Sequence, residues 1–263
     1  MPPETDELNL GLCELHLEWN EIGSAMSFLQ VIEASRARRA HAGNRRLWCT
    51  AMASVRAAQG DANGALAMLD EAELHERRDP VPRAHPITAM KARIRIAQGR
   101  LDDAGTWAAK AKVSVDDDLE YLREFEHITL ARMLIAKHSS SGDQQSLRDA
   151  TRLLERLHIA AQTGGRIGSV IEVSVLEALT QHALGNLRGA LDHLGDALAL
   201  AEPEGFLRIF LDQGTRARDL LRHSIARGLS HAYARTVLAA FDGPKQPVVP
   251  VASTNTHAAS DAP

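Results

Sequence analysis

The chain has 263 residues, of which 44% are hydrophobic and only 4% aromatic, and its formal net charge is -4. Alanine and leucine dominate where a β-sheet would need valine, isoleucine, tyrosine and phenylalanine, so the composition predicts an all-α protein. The small net negative charge provides no positive field for a phosphate backbone, and no stretch approaches the roughly 18 apolar residues of a membrane span. The N-terminal sequence is acidic and lacks the apolar run of a secretion signal. We therefore expect a cytoplasmic protein that binds neither nucleic acid nor a membrane.

A helical hairpin is predicted to recur along the chain. A glycine is followed by an alanine five residues later and by another alanine seven residues after that. This spacing occurs at Gly60/Ala65/Ala72, Gly99/Ala104/Ala111 and Gly185/Ala190/Ala197. Because one such hairpin cannot bury its apolar face alone, its copies are expected to stack into a solenoid.

Two weaker copies complete a series of hairpins spaced by about 40 residues. The first copy, Asn20/Ala25/Ile32, has asparagine in the turn, and the fourth contains Ala150 and Leu157. The polar run at 138–146, just before Ala150, is interpreted as an expanded loop, with a turn near residue 145.

Small residues also precede the predicted turns. They stand seven positions before four of the turns, and Ala131 takes this place ahead of the expanded loop. The other four are Cys13, Ala53, Ala92 and Ala178. The whole pattern predicts a right-handed superhelical solenoid of about five helix-turn-helix, tetratricopeptide-like repeats in residues 1–202.

The helices are predicted to become shorter after the last repeat. Helix-start and helix-stop residues indicate three short helices between Pro203 and Phe241. We interpret residues 203–241 as a C-terminal helical capping module. Residues 242–263 are rich in proline, serine, threonine and alanine and have no apolar periodicity, which predicts a disordered linker or tail.

The sequence contains no motif that would supply enzyme chemistry. It has neither a GxxxxGK[ST] phosphate loop nor a dinucleotide-binding GxGxxG between a strand and a helix. The 12 histidines form no HExxH motif and no cluster with cysteine. Cys13 and Cys49 lie in apolar helical stretches, which is typical of buried structural thiols. We therefore expect no enzyme activity, no cofactor and no metal.

Candidate binding residues follow from the repeat register. The residue after the small position of each first helix is expected to face the concave groove. These residues are Glu14, Ser54, Arg93, Arg132 and Leu179. Arg93 and Arg132 on neighbouring units favour a clamp for an anion or carboxylate, because guanidinium groups bind such groups through paired hydrogen bonds. Alternatively, the two arginines pair with acidic neighbours inside the superhelix.

Several segments resemble a known family. The sequence AEPEGFLRIFLDQG at 201–214, followed by YARTVLAAF at 233–241, is similar to the end of the helical-repeat region in large ATP-dependent LuxR-type transcriptional regulators, the MalT-like class. Segments 11–20 and 166–172 resemble repeats of the same family. The resemblance covers nearly all of residues 9–241.

This resemblance implies a sensing role. In the family, an ATPase precedes the tetratricopeptide-like region, which is assigned the sensing of the inducer, and a DNA-binding helix-turn-helix follows it. The chain contains only the middle region. The resemblance thus implies a regulatory region that binds a small-molecule effector or a protein partner and contributes to self-association, without ATPase or DNA-binding activity of its own. A free-standing tetratricopeptide scaffold or co-chaperone that docks a partner peptide would also explain the repeats.

Five residues stand at positions characteristic of the family motif. They are Glu204, Gly205, Arg208, Asp212 and Gly214. Arg208 and Asp212 are four residues apart on a predicted helix and are expected to pair on one face. The motif is interpreted either as a signalling element that couples effector binding to a downstream domain, or as a structural cap held by the Arg208–Asp212 pair.

Overall fold

The computed structural model describes residues 3–37, 45–76, 84–228 and 232–243. These residues form 13 α-helices and one short 3-10 helix, Tyr121–Arg123, and they contain no β-strand. The prediction of an all-α protein is confirmed. None of the helices in the described ranges is long and apolar enough to cross a membrane.

The first ten helices form five hairpins, each joined by a short turn. They are α1 (Pro3–Glu18) with α2 (Ile22–Ala37), α3 (Arg45–Ala58) with α4 (Ala62–Glu76), α5 (Ile87–Ala97) with α6 (Leu101–Ala111), α7 (Glu124–Ser141) with α8 (Gln144–Thr163), and α9 (Ile167–Ala183) with α10 (Leu187–Ala201). The second helix of each hairpin contacts the first helix of the next. This stacking confirms the predicted helical-repeat solenoid.

A left-handed backbone conformation marks the turn of every hairpin. The turn residues are Asn20 (φ 60°), Gly60 (φ 84°), Gly99 (φ 75°), Gly142 (φ 72°) and Gly185 (φ 78°). Glycine adopts this conformation without steric cost, and asparagine is among the few other residues that tolerate it. Four of these five turns, all except that at Gly142, lie at the residue predicted from the spacing.

The prediction of an expanded loop at 138–146 is wrong. The helix α7 continues to Ser141, only two residues separate it from α8, and the turn is at Gly142. The serines are helical, and their hydroxyl groups donate to carbonyls about one turn earlier, as in the 2.8 Å bond from Ser141 Oγ to Lys137 O. The Asp143 side chain then caps α8 by accepting a hydrogen bond from the backbone N–H of Gln145 at 3.0 Å.

The small residues of the repeat lie where the helices pack most closely. Each of the following is at most 1% exposed: Cys13, Ala25, Ala53, Ala65, Ala72, Ala92, Ala104, Ala131, Ala178, Ala190 and Ala197. Cys13 and Cys49 are both buried and form no disulfide, as expected for structural thiols. Burial raises the pKa of Cys13 to about 12, so its thiol stays protonated and unreactive at neutral pH.

Three short helices follow the last hairpin: α11 (Arg208–Leu211), α12 (Thr215–Ala226) and α13 (Tyr233–Asp242). Their apolar side chains pack against α9 and α10 around the fully buried Phe210. In addition, α11 contacts α1, at the other end of the solenoid. The predicted cap therefore extends from the last hairpin to the first helix. Most of the predicted tail, residues 244–263, lies outside the described residues.

Candidate functional site in the concave interior

Three charged side chains from successive hairpins meet on the inner side of the solenoid. The carboxylate of Glu172 on α9 lies 3.0 Å from Arg93 Nη1 on α5 and 2.8 Å from Arg132 Nη2 on α7. Their side chains are 14%, 21% and 13% exposed, so the cluster is largely shielded but still reachable from the interior. A pair that links α5 directly to α9 requires strong curvature of the solenoid. We call Arg93, Arg132 and Glu172 the charge cluster.

Further polar contacts hold the two arginines in place. Arg93 Nε donates to Thr129 Oγ1 at 2.9 Å, and its guanidinium group stacks 3.7 Å from the centre of the Phe125 ring. Arg132 Nη1 donates to Gln213 Oε1 at 3.1 Å. Within the described structure, the buried Arg93 Nη2 has no hydrogen-bond partner. The described structure thus leaves one buried donor of the cluster without an acceptor.

The carboxylate and the two guanidinium groups of the charge cluster stabilise each other's charged forms. Burial alone would raise the pKa of Glu172, but the adjacent Arg93 and Arg132 reverse this effect and lower it to about 2. Burial lowers the pKa of Arg93 to about 10, which still leaves it protonated at neutral pH. The carboxylate therefore neutralises much of the positive charge that an anion would otherwise meet.

The residues predicted to face the groove have different surroundings in the structure. Arg93 and Arg132 come together, but through Glu172, so the alternative in which both pair with an acidic neighbour is the one observed. Ser54 Oγ donates to Thr50 O in its own helix at 3.2 Å, and Glu14 is exposed on α1. Glu172 itself was not predicted as a site residue, although it belongs to the family-like segment 166–172.

The C-terminal motif joins the end of α1 to the start of α11. Three hydrogen bonds form this contact, which we call the clasp. Leu207 N donates to Glu18 O at 2.9 Å, Trp19 Nε1 donates to Glu204 O at 2.8 Å, and Arg208 Nη1 donates to Asn20 Oδ1 at 3.1 Å. Arg208 also pairs with Asp212, with Nε 3.0 Å from Oδ1, as the four-residue spacing predicted. The motif thus connects the end of the last hairpin to the first helix of the solenoid.

The two motif glycines are required by their backbone conformations. Gly205 has φ 70°, and a Cβ atom there would lie 3.3 Å from the Trp19 ring. Gly214 precedes α12 with φ 66° and ψ -145°, a combination that residues with a side chain rarely adopt. Both positions shape the chain between the last hairpin and α12.

We expect Gly205→Ala to destabilise the protein by about 1–2 kcal/mol, because the left-handed conformation is strained for alanine and Trp19 must shift. The matched control is Gly195→Ala in the middle of α10, where a Cβ meets no atom within 4 Å. That change should instead stabilise the protein by about 0.5–1 kcal/mol. Urea denaturation of both variants checks the opposite signs, and equal effects would contradict the role assigned to Gly205.

A titrating carboxyl group lies beside the clasp. Burial, followed by the negative charges of Asp212 and Glu172, raises the pKa of Glu18 to about 7. The positive charge of Arg208 opposes this shift only in part. Near neutral pH, Glu18 is therefore divided between its charged and uncharged forms.

We expect Glu18→Gln to stabilise the protein at pH 8. The folded-state pKa of Glu18 is above the ordinary value of 4.5, so the wild type has its full stability below that value and loses it as the pH rises through about 7. The glutamine variant has no ionisable group at this position, so it does not lose stability in this way as the pH rises. Its advantage in thermal melting should be present at pH 8 and vanish near pH 4, whereas Glu155→Gln, at an exposed position on α8, should show no such pH-dependent difference. A constant difference from pH 4 to 8 would contradict the raised pKa.

The helical-repeat fold agrees with a comparison to protein families. A family model described as the MalT-like TPR region matches residues 7–227. A search of curated proteins finds no match. In the described residues, no group of three or more histidine, cysteine, aspartate or glutamate side chains is arranged to hold a metal ion. The matched region includes the five hairpins, the charge cluster and the clasp, and the chain belongs to the MalT-like TPR region family.

Proposed function

We propose that the chain is the effector-sensing and protein-interaction region of a LuxR-type transcriptional regulator. The family match supports a regulatory sensing or interaction role, and helical repeats of this kind are typical of non-catalytic scaffolds. The link to LuxR-type regulators is supported by the resemblance of segments 201–214 and 233–241 to that class. The proposed effector is a small molecule that binds on the inner side of the solenoid.

The observation that carries the proposal is the position of segment 204–214 between the clasp and the charge cluster. At one end, Arg208 donates to Asn20 of the first hairpin; at the other, Gln213 accepts from Arg132. A ligand that binds the arginines of the cluster would compete with Glu172 and Gln213. Its binding energy would then favour a different arrangement of this segment, which is what coupling between two sites requires.

The clasp also favours a sensor over a scaffold that docks an extended peptide. Peptide-docking repeats need an open groove along the inner helices. Here α11 lies against both α9 and α1, on the side where such a peptide would bind. Glu172 further reduces the positive charge that would attract a peptide carboxylate.

Thermal-shift screening of a metabolite library against the purified chain, followed by hydrogen–deuterium exchange, tests the sensing role. A ligand of the native state should raise the melting temperature and change the exchange of segment 204–214. Asp212→Lys should keep ligand binding but lose the change in exchange, because it breaks the pair with Arg208. Glu155→Lys, at an exposed position, should behave like the wild type.

Two results would contradict the proposal. One is a ligand that stabilises the wild type without changing exchange in segment 204–214. The other is a set of metabolites without effect together with tight binding of an extended peptide, which would identify a docking scaffold instead.

A further inference from the structure

A recess continues the inner surface beyond the charge cluster. Its walls are formed by Ile135 and Ser139 of α7, Leu179, His182 and Ala183 of α9, and Arg216 and Asp219 of α12. Ile135 and Ser139 follow Arg132 by three and seven positions on α7, and Leu179 follows Glu172 by seven positions on α9, which keeps them on the same helix faces. The recess has a volume of about 150 Å³ and opens to solvent.

The recess contains an arginine without a counter-charge. Within the described part of the chain, Arg216 makes no hydrogen bond or ion pair, unlike the two arginines of the charge cluster. Asp219, one turn further along α12, also lines the recess and pairs with Arg222, at 3.6 Å, and not with Arg216. Arg216 is accessible to solvent, yet the surrounding protein displaces enough water to lower its pKa. It remains charged at neutral pH and is free to bind an anion.

The start of α12 adds to the positive potential at this end of the recess. Arg216 is the second residue of the helix, whose first turn contains no acidic residue and whose N-terminus has no side-chain cap. The positive end of the helix dipole therefore lies beside the guanidinium group. Ile135, Leu179 and Ala183 contribute the apolar part of the lining, and Ile135 and Leu179 are largely buried, at 3% and 6% exposed.

We propose that this recess binds a small organic acid, with its carboxylate on Arg216 and its hydrocarbon part against Ile135, Leu179 and Ala183. A guanidinium group offers a carboxylate two parallel hydrogen bonds, and His182 supplies a further polar group on the wall. Cavities of about 150 Å³ hold a molecule the size of benzene, so the acid should have roughly six to nine non-hydrogen atoms. This inference rests on the proposed sensing function and names the chemical class of its effector. An acid on Arg216 would act on segment 204–214 through the adjoining Gly214 and Gln213, and not by competing with Glu172.

Isothermal titration calorimetry of the full chain with benzoate and hexanoate tests the proposal. Both acids should bind, while benzamide, hexanamide and inorganic phosphate should bind at least about tenfold more weakly, because they lack the carboxylate or the hydrocarbon part. Arg216→Gln should weaken benzoate binding at least about tenfold through loss of charge-assisted hydrogen bonds. Ala183→Phe, which fills the recess, should abolish it. Arg235→Gln, at an exposed position on α13, should leave it unchanged.

The outcomes separate this proposal from the sensing function. Any one of three results would overturn the acid site. They are no binding of benzoate or hexanoate at 10 mM (about the highest practical concentration), equal benzoate binding by Arg216→Gln and the wild type, and binding of the amides or phosphate as tight as that of the acids. If another metabolite then raised the melting temperature and changed segment 204–214, the sensing function would stand without this ligand class. If benzoate bound through Arg216 but left segment 204–214 unchanged, the acid site would stand and the sensing function would fail.

Discussion

Glu172→Gln is expected to lower the free energy of unfolding by about 3 kcal/mol, because it leaves two poorly solvated arginines without their shared counter-charge. The loss should also depend on pH. The pKa of Glu172 is lowered to about 2, so its carboxylate contributes stability above the ordinary value of 4.5 and loses that contribution as the pH falls through 2. Wild type and variant should therefore converge in strong acid.

Urea denaturation at pH 7 and at several lower pH values measures this effect. Glu155→Gln on α8 makes the same chemical change at an exposed position and should alter stability by less than about 0.5 kcal/mol. A Glu172→Gln variant as stable as this control would show that the charge cluster does not hold the curved solenoid together. A constant loss down to pH 2 would contradict the lowered pKa.

A second variant tests whether the charge cluster is needed for stability or only tolerated. Replacing Arg93 and Arg132 with methionine and Glu172 with leucine removes all three charges and retains most of the volume. Such replacement of a buried ion cluster is often neutral or stabilising. We expect the triple variant to recover the stability lost in Glu172→Gln, which would favour a binding role for the charges.

Phe210→Ala is expected to cost about 3–5 kcal/mol, the usual range for removing a fully buried phenylalanine. Phe210 lies in α11 and packs into the core shared by α9, α10, α12 and α13. The cavity left by its ring should loosen the attachment of α11 and hence the clasp to α1. Faster hydrogen–deuterium exchange in segment 204–214 would report this loosening, together with a lower urea midpoint.

The control for Phe210→Ala is Tyr121→Ala, which removes an aromatic ring that is 61% exposed. It should change stability by less than about 1 kcal/mol. If Phe210→Ala lowered stability without faster exchange in segment 204–214, the clasp would hold independently of the core around α11. Equal stability of the two variants would contradict the central position of Phe210.

Local spacing was sufficient to predict the repeats, because a hairpin turn and the close approach of its two helices depend on residues near one another in sequence. Gly60, Gly99 and Gly185 adopt the expected left-handed conformation, and the paired alanines are buried except Ala111, which is only partly buried. The same reasoning failed at 138–146, where composition favoured a loop. There α7 runs to Ser141 and ends at the left-handed Gly142, and Asp143 caps α8, so the connection is a two-residue turn.

Only two of the three residues of the charge cluster could be predicted from the sequence. The repeat register indicated Arg93 and Arg132, because each occupies an equivalent position in its own hairpin. It gave no signal for Glu172, which lies at a different repeat position, six residues before Ala178 and not one residue after it. Arg216 was missed for the same reason, because it lies in a helix that is not part of a repeat.

The sequence by itself determined the all-α class, the five hairpins and the family motif with its Arg208–Asp212 pair. Only the tertiary structure decided that Arg93 and Arg132 share Glu172, that α11 reaches α1, and that Arg216 faces a recess. The physical reason is that each hairpin is specified by contacts within itself and with its neighbour, whereas curvature accumulates from small rotations between successive units. Which distant side chains meet on the inner side depends on that accumulated curvature.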